Sequence, residues 1–347
     1  VFIRGEVCFC TKNWLNSFNG AAKRYIEWPR LDMKERALIE RIRKLAGSVR
    51  QDAVMRGIGD DCAVLRVGAE KNLLVTTDFS MEDVHFRRQW HPAGSVGHRC
   101  LARGLSDVAA MGGTPLACFL SLGLPGKLPQ KWIDDFFRGL QALARQFHVQ
   151  LTGGDLSSAP KIIADIMVLG EVPAGKAVLR SGARAGDRIY VTGALGGSAA
   201  TLKQLFAGKK IKAVTSSPHF YPQPQIAVGR WLQQRGLATA MIDLSDGLSV
   251  DLAHIYQESG VSAQIRAANI PIAKGANLEL ALHGGEDYEL LFTAPPKAKL
   301  PRRIAGVPVT EIGVIRKLTN YSSAIQILGE NGKVQPLQQA GWEHFKS

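Results

Sequence analysis

The 347 residues are 46% hydrophobic and 21% charged, the balance of a folded soluble protein and enough chain for two domains of ordinary size. The longest apolar run, residues 116–124, is of strand length and well short of the ~20 residues that cross a bilayer. The N-terminus lacks the apolar core of a signal peptide, so the chain reads as cytoplasmic, with no membrane partner. The formal net charge of +13 raises nucleic acid or polyanionic small molecules as partners. Its basic residues are scattered, with only short pairs at Arg87-Arg88, Lys209-Lys210 and Arg302-Arg303. No basic stripe is interleaved with aromatics, which argues against nucleic acid. Five cysteines, an odd number without paired spacing, point to reduced thiols.

Residues 1–32 carry polar and aromatic side chains without period and read as a poorly ordered leader, with Met33 as the natural start. Asp32 and Glu35 can form a capping box, and Leu38, Ile39, Ile42 and Leu45 make an apolar stripe, so a helix is expected from about residue 33. A glycine-flanked acidic pair, Asp60-Asp61, precedes a short strand. Residues 73–78 form a buried strand ending in Thr76, Thr77 and Asp78, with His85 in the loop beyond. The spacing predicts a helix over 95–111 with Cys100, Leu101, Leu105 and Val108 inward and Asp107 beside that stripe. Gly112-Gly113 stops it. A strand at 118–124 and an amphipathic helix at 130–147 follow. Gly153-Gly154-Asp155 offers backbone that can approach a phosphate and a carboxylate suited to its metal. An apolar strand at 162–169 ends the first domain near Pro173, giving domains at 33–173 and 174–347.

In the second domain a turn-rich basic segment at 180–187 precedes a strand at 188–192. Residues 241–249, MIDLSDGLS, run from a buried strand end into a helix, presenting Asp243, Ser245 and Asp246 together at the turn. Residues 284–292, GGEDYELLF, give a glycine turn, an acidic pair and a strand, and Trp342 lies in a short tail. No glycine cluster completes a Walker or dinucleotide motif.

Asp60, Asp61, Asp78, Asp107, Asp155, Asp243 and Asp246 sit beside glycines, hydroxyls or strand ends. Gathered in one cleft they would repel one another unless divalent cations neutralised them. An all-oxygen donor set without a cysteine or histidine cluster selects Mg2+, and several magnesium ions imply several phosphates. Phosphoryl transfer from a nucleotide is the economical reading.

The ordered set at 57–62, Thr76-Thr77-Asp78, 105–112 (LSDVAAMG), Gly153-Gly154-Asp155, Arg180-Ser181-Gly182-Ala183, 242–248 and 284–290 resembles the thiamine-monophosphate kinase family. That family shares a superfamily with aminoimidazole ribonucleotide synthetase and selenophosphate synthetase. The likeness runs from about residue 33 to 342. It implies an α+β protein with two α/β-sandwich-type domains of the aminoimidazole ribonucleotide synthetase-like fold and a sheet-mediated homodimer. The N-terminal domain would bind ATP and Mg2+, and the C-terminal one would complete the site. By motif, Asp61, Thr76, Thr77, Asp78, Asp107, Asp155, Asp243 and Asp246 are implied as magnesium ligands. Gly154, Asp155, Arg180 and Ser245 are implied to contact ATP, and His85, Glu286 and Trp342 the thiamine moiety.

The implied reaction is direct in-line transfer from ATP to thiamine monophosphate. Its nucleophilic phosphate oxygen is already ionised at neutral pH (second pKa about 6), so no side-chain nucleophile or base is expected. Leu156 stands where threonine is frequent, and Tyr221 and Gln225 stand where the family pattern has cations. A related ATP-dependent enzyme with another acceptor, and a basic nucleic-acid-binding protein with helix-capping acids, are the alternatives.

Overall fold

The computed structural model describes residues 35–46, 52–318, 325–329 and 331–341. The leader, the residue-32 end of the expected capping box, and Trp342 lie outside them.

The first half runs α1 (Glu35–Ala46), β1 (Val54–Arg56), β2 (Ala63–Arg66), β3 (Lys71–Met81), α2 (Ala93–Ala110), β4 (Thr114–Leu124), α3 (Gln130–Gln146), β5 (Gln150–Ser158) and β6 (Ile163–Pro173). Its strands form one six-stranded sheet in the order β1-β2-β3-β6-β4-β5. The β3–β6 ladder is the longest, registered from Lys71 opposite Pro173 to Met81 opposite Ile163. Period-two alternation on β3 sends Asn72, Leu74, Thr76 and Ser80 into the interior, against α2. Thr77 and Phe79 face the other way, onto a side that no helix among the described residues covers, and Phe79 is 53% exposed there. The edge strand β5 is exposed along nearly its whole length, and Leu156 is 73% exposed.

The second half continues with β7 (Arg188–Thr192), α4 (Gly197–Phe206), α5 (Ile226–Arg235), β8 (Ala240–Asp243), α6 (Leu248–Ser259), β9 (Ser262–Arg266), α7 (Leu278–His283), β10 (Leu290–Ala294), β11 (Arg303–Ile304), β12 (Val307–Arg316), β13 (Ile325–Leu328) and β14 (Val334–Pro336). The larger sheet has the order β14-β13-β9-β12-β7-β10-β8, with β11 paired to β12. Its β10 is buried at every position, and α6 packs over β8, β9 and β10.

The two halves meet on α2. This helix packs on β3 and β6, on α3, and across on α5 and β8. Such surroundings leave it little polar face: of its eighteen residues only Gly94, Arg103 and Asp107 are not buried. Its crossing with α3 is close because glycines meet backbone. A Cβ on Gly97 would lie 1.9 Å from the Phe136 carbonyl oxygen, and one on Gly139 would lie 1.8 Å from that of Gly94. The three described cysteines, Cys62, Cys100 and Cys118, are buried free thiols, as their apolar settings imply.

The helix expected near residue 33 is found, but Leu38, Ile39 and Ile42 of its stripe are not buried. Ile39 and Ile42 are 45% and 44% exposed, and α1 is tied to the rest by an Arg43–Glu258 ion pair at 3.0 Å. Periodicity marks a face that needs cover without saying what supplies it.

Gly97→Val should lower stability by roughly 1–3 kcal/mol, because the α2–α3 crossing has no room for a side chain. Gly126→Ala, with nothing within 4 Å of the added Cβ, should be neutral. Urea midpoints of the two variants would check this; equal midpoints would contradict it.

Candidate active site

The acids converge where strand ends meet α2. One carboxylate oxygen each from Asp61, Asp107 and Asp243 lies within 4.8 Å of the others. Asp61 follows the turn before β2, Asp107 is on the last turns of α2, and Asp243 ends β8. Asp243 accepts from the Ser106 hydroxyl at 2.6 Å, and Asp107 accepts from the Thr76 hydroxyl. The Arg180 guanidinium forks onto Asp61, with Nη2 at 2.8 Å from Oδ1 and Nε at 3.3 Å from Oδ2. The Arg180 backbone N–H donates to Asp60 at 2.6 Å.

Burial pushes the Asp243 carboxyl up to about 8, and the charge of Asp61 adds to the shift while Ser106 and Arg180 oppose it. Burial and then Asp78, Asp243 and Asp61 hold Asp107 well above the ordinary carboxylate range. Asp107 and Asp243 favour their protonated forms there unless a cation takes the protons' place. With donors that are all oxygens, the residues fit a hard divalent ion such as Mg2+. A second group, Asp246, Asp251 and His254, also brings ligand atoms within 4.8 Å of one another. Asp251 is already engaged there, accepting from the Asp246 and Gly247 N–H groups at 3.2 and 3.0 Å.

A cavity of about 500 Å³ opens from these acids. Asp78, Asp107, Asp243, Ser245 and Asp246 line one end; His85, Phe86, Trp90 and Phe206 line the other. Trp90 and Phe206 stand edge to face at 5.0 Å between centroids, with the Arg87 guanidinium 4.4 Å from the Trp90 ring. Glu286 lies between the ends, its backbone left-handed at φ 64°. It accepts from Arg99 Nη2 at 2.6 Å. Burial pushes Glu286 upward, but Arg99 and then Arg103 outweigh it and hold the carboxyl down at about 2. His85 accepts from the Met81 N–H through Nδ1 at 3.1 Å, which aims its ring along the cavity wall.

The fold therefore brings together Asp61, Thr76, Asp78, Asp107, Arg180, Asp243, Ser245, Asp246, His85 and Glu286. It places Thr77 and the Gly154-Asp155 pair elsewhere in this chain. By register Asp155 is level with Ser121, Asp165 and Phe79, so its side chain shares the uncovered face with Thr77. Gly154 fits its own strand tightly, since a Cβ there would lie 1.9 Å from the Leu120 oxygen. Beside them Leu120, Leu151 and Leu156 line a shallow depression. The chain reaches Gly341 directly against Asp246, whose carbonyl oxygen would stand 2.3 Å from an added Cβ.

Several residues escaped sequence reasoning: the wall residues Arg87, Trp90, His91, Arg103, Phe206 and His219, and Arg99 behind Glu286. The signal for Arg99 and Arg103 was their spacing of eight and four residues, respectively, from Asp107, on one side of the same helix. No local signal marks the others, which come together only in the fold. His91 and His219 share a proton between their Nε2 atoms at 3.1 Å, and His219 Nδ1 meets the Ser198 hydroxyl at 2.9 Å.

The comparisons with known proteins agree on the class. Residues 59–172 match the model of the AIR synthase related protein N-terminal domain, and residues 184–323 that of the C-terminal domain. Thiamine-monophosphate kinase of Salmonella typhimurium is 38% identical over 90% of this chain and 98% of its own length. Among solved structures, AaThiL complexed with AMPPCP and TMP superposes with a TM-score of 0.77 at 31% identity, covering 90% of this chain and 97% of that one. Thiamine-monophosphate kinase from Stenotrophomonas maltophilia has a TM-score of 0.67 at 34% identity, covering 84% and 95%. The chain belongs to the thiamine-monophosphate kinase family of AIR synthase related proteins.

Burial, with Arg99 adding to it, lowers His219 to about 3 and His91 to about 4, so both are neutral in the folded protein. An unfolded chain takes up protons at these positions below about pH 6.5, so stability is complete above that pH and is lost as pH falls toward 4. Each histidine should contribute a slope of about 1.4 kcal/mol per pH unit in that window. Denaturation series at pH 7 and pH 5 would measure it, and His219→Gln should flatten the dependence.

Proposed function

We propose that the protein catalyses ATP-dependent phosphorylation of thiamine monophosphate to thiamine diphosphate. The observation that carries this reading is the cavity itself, with a carboxylate-lined end suited to metal-bound phosphates and an aromatic end suited to a heterocycle. A relative of the same fold, solved with AMPPCP and TMP, combines an ATP analogue and a phosphorylated acceptor in one protein.

Asp61, Thr76, Asp78, Asp107, Asp243 and Asp246 would hold magnesium. When bound, Mg2+ neutralises phosphate charge and lets two anions approach. Arg180 and Ser245 meet the nucleotide phosphates, while His85 and Glu286 orient the thiamine rings; Trp342 is assigned to the same rings by motif. A phosphate oxygen of the acceptor attacks the γ-phosphorus of ATP. The bond from that phosphorus to the β,γ-bridging oxygen breaks, and ADP leaves with the electron pair. No side chain need remove a proton, because the attacking oxygen is already ionised.

The active form we infer is a homodimer joined through the open face of the six-stranded sheet. The sheet side carrying exposed Phe79, with no helix over it among the described residues, calls for a partner, and a second copy supplies the same surface. Thr77 and Asp155 lie on that face, so Asp155, with Gly154, serves the phosphate site of the partner subunit.

Purified protein should form ADP from ATP only when both Mg2+ and thiamine monophosphate are present. ADP release with the acceptor omitted, or with aminoimidazole precursors in its place, would reject this substrate assignment. Asp107→Asn should lower turnover at least roughly a hundredfold while the melting temperature holds or rises, since it removes a repelling charge. Mixing inactive Asp107→Asn and Asp155→Asn protomers should restore about a quarter of wild-type activity, through one intact site in each mixed dimer. If Asp155 acts within its own chain, mixing restores none.

A further inference from the structure

We propose that Arg103 is the residue that grips the phosphate of the acceptor, a role resting on the kinase reading above. On α2 only Gly94, Arg103 and Asp107 escape burial, and Arg103 and Asp107 both line the cavity. One turn apart, they point the same way, so the helix presents a cation and a carboxylate side by side.

Arg103 is poorly matched to the protein groups around it. Its Nη2 stands 3.5 Å from Asp78 Oδ1 and its Nη1 3.9 Å from Glu286 Oε1. Charge-assisted bonds between such groups ordinarily close to about 2.7–2.9 Å. Glu286 already has a better partner in Arg99, at 2.6 Å. The buried Nε of Arg103 has no hydrogen-bond partner among the described residues. A guanidinium carries five N–H donors in a rigid fork. Here most of that capacity is unspent, at the boundary between the acidic and aromatic ends.

Charge also singles out Arg103. Among the described residues Arg87 and Arg103 are the two arginines lining the cavity, and Arg87 is stacked on Trp90 and Phe206. A phosphomonoester whose ring system lies among the aromatics would set its phosphate beside Arg103, facing the carboxylates. There a two-pronged guanidinium contact offsets the repulsion from Asp78 and fixes the attacking oxygen toward the nucleotide. Arg103 thus discriminates a phosphorylated acceptor from the same molecule without its phosphate.

Calorimetric titration of the full-length protein in Mg2+, with thiamine monophosphate and with unphosphorylated thiamine, tests this. Arg103→Met should weaken thiamine monophosphate binding roughly ten- to a hundredfold. Thiamine binding and the KM for ATP should stay as in wild type. Arg103→Lys should recover part of the loss, because it keeps the charge and loses the fork. Equal loss for both ligands would assign Arg103 a purely structural role through Glu286 and overturn the inference, as would unchanged monophosphate affinity. Should Arg103→Met fail to fold, Arg103→Gln carries the same comparison, its fold checked by circular dichroism. Wild-type protein that does not bind thiamine monophosphate would overturn the functional reading and the inference with it. Wild type that binds while Arg103→Met binds equally well would overturn the inference alone.

Discussion

The structure is built around carboxylates that repel one another. Asp61, Asp107 and Asp243 come from three separated stretches of chain, and their oxygens meet within 4.8 Å. Nothing in their mutual electrostatics favours that arrangement. Packing enforces it, through a helix wedged between two sheets and glycines that let backbones touch. Arg180 on Asp61, Thr76 on Asp107 and Ser106 on Asp243 moderate the repulsion without removing it. A divalent cation among these oxygens would relieve the repulsion that remains.

Around that centre charges are compensated pair by pair. Asp60 and Asp61 take Arg56 and Arg180, Glu286 takes Arg99, and Asp251 takes backbone N–H groups at the start of α6. Arg103 is the exception, holding two distant carboxylates loosely. The contrast separates groups that are structurally satisfied from one available to a ligand.

Much of this was legible in the sequence because the acids stand at punctuated positions. Strand β7 and helix α3 follow directly from hydrophobic period, and Asp243 is marked by the strand that ends on it. Other features were not local properties. Thr76 and Thr77 are neighbours in sequence, but the pleat sends one to Asp107 and the other to the open face. The glycines before Asp155 indicate close backbone approach without revealing which side of an edge strand the carboxylate takes. Arg99 and Arg103 were hidden within a mostly apolar helix, whose stripe drew attention to Cys100, Leu101 and Leu105 instead. The aromatic end, built from Trp90 and Phe206 across more than a hundred residues, leaves no mark in either stretch alone.

The cavity's two ends are also built from different material. Its acids stand on strand ends and on a helix with almost no free surface, where most substitutions would disturb the core. Its aromatics stand on the connection after β3 and on the last turn of α4, which is lightly covered. Descendants of this scaffold could therefore exchange one heterocycle for another by drift in those peripheral segments, leaving phosphate chemistry untouched. A division of that sort lets one ancestral machine diversify across a metabolic repertoire while its engine is inherited unaltered.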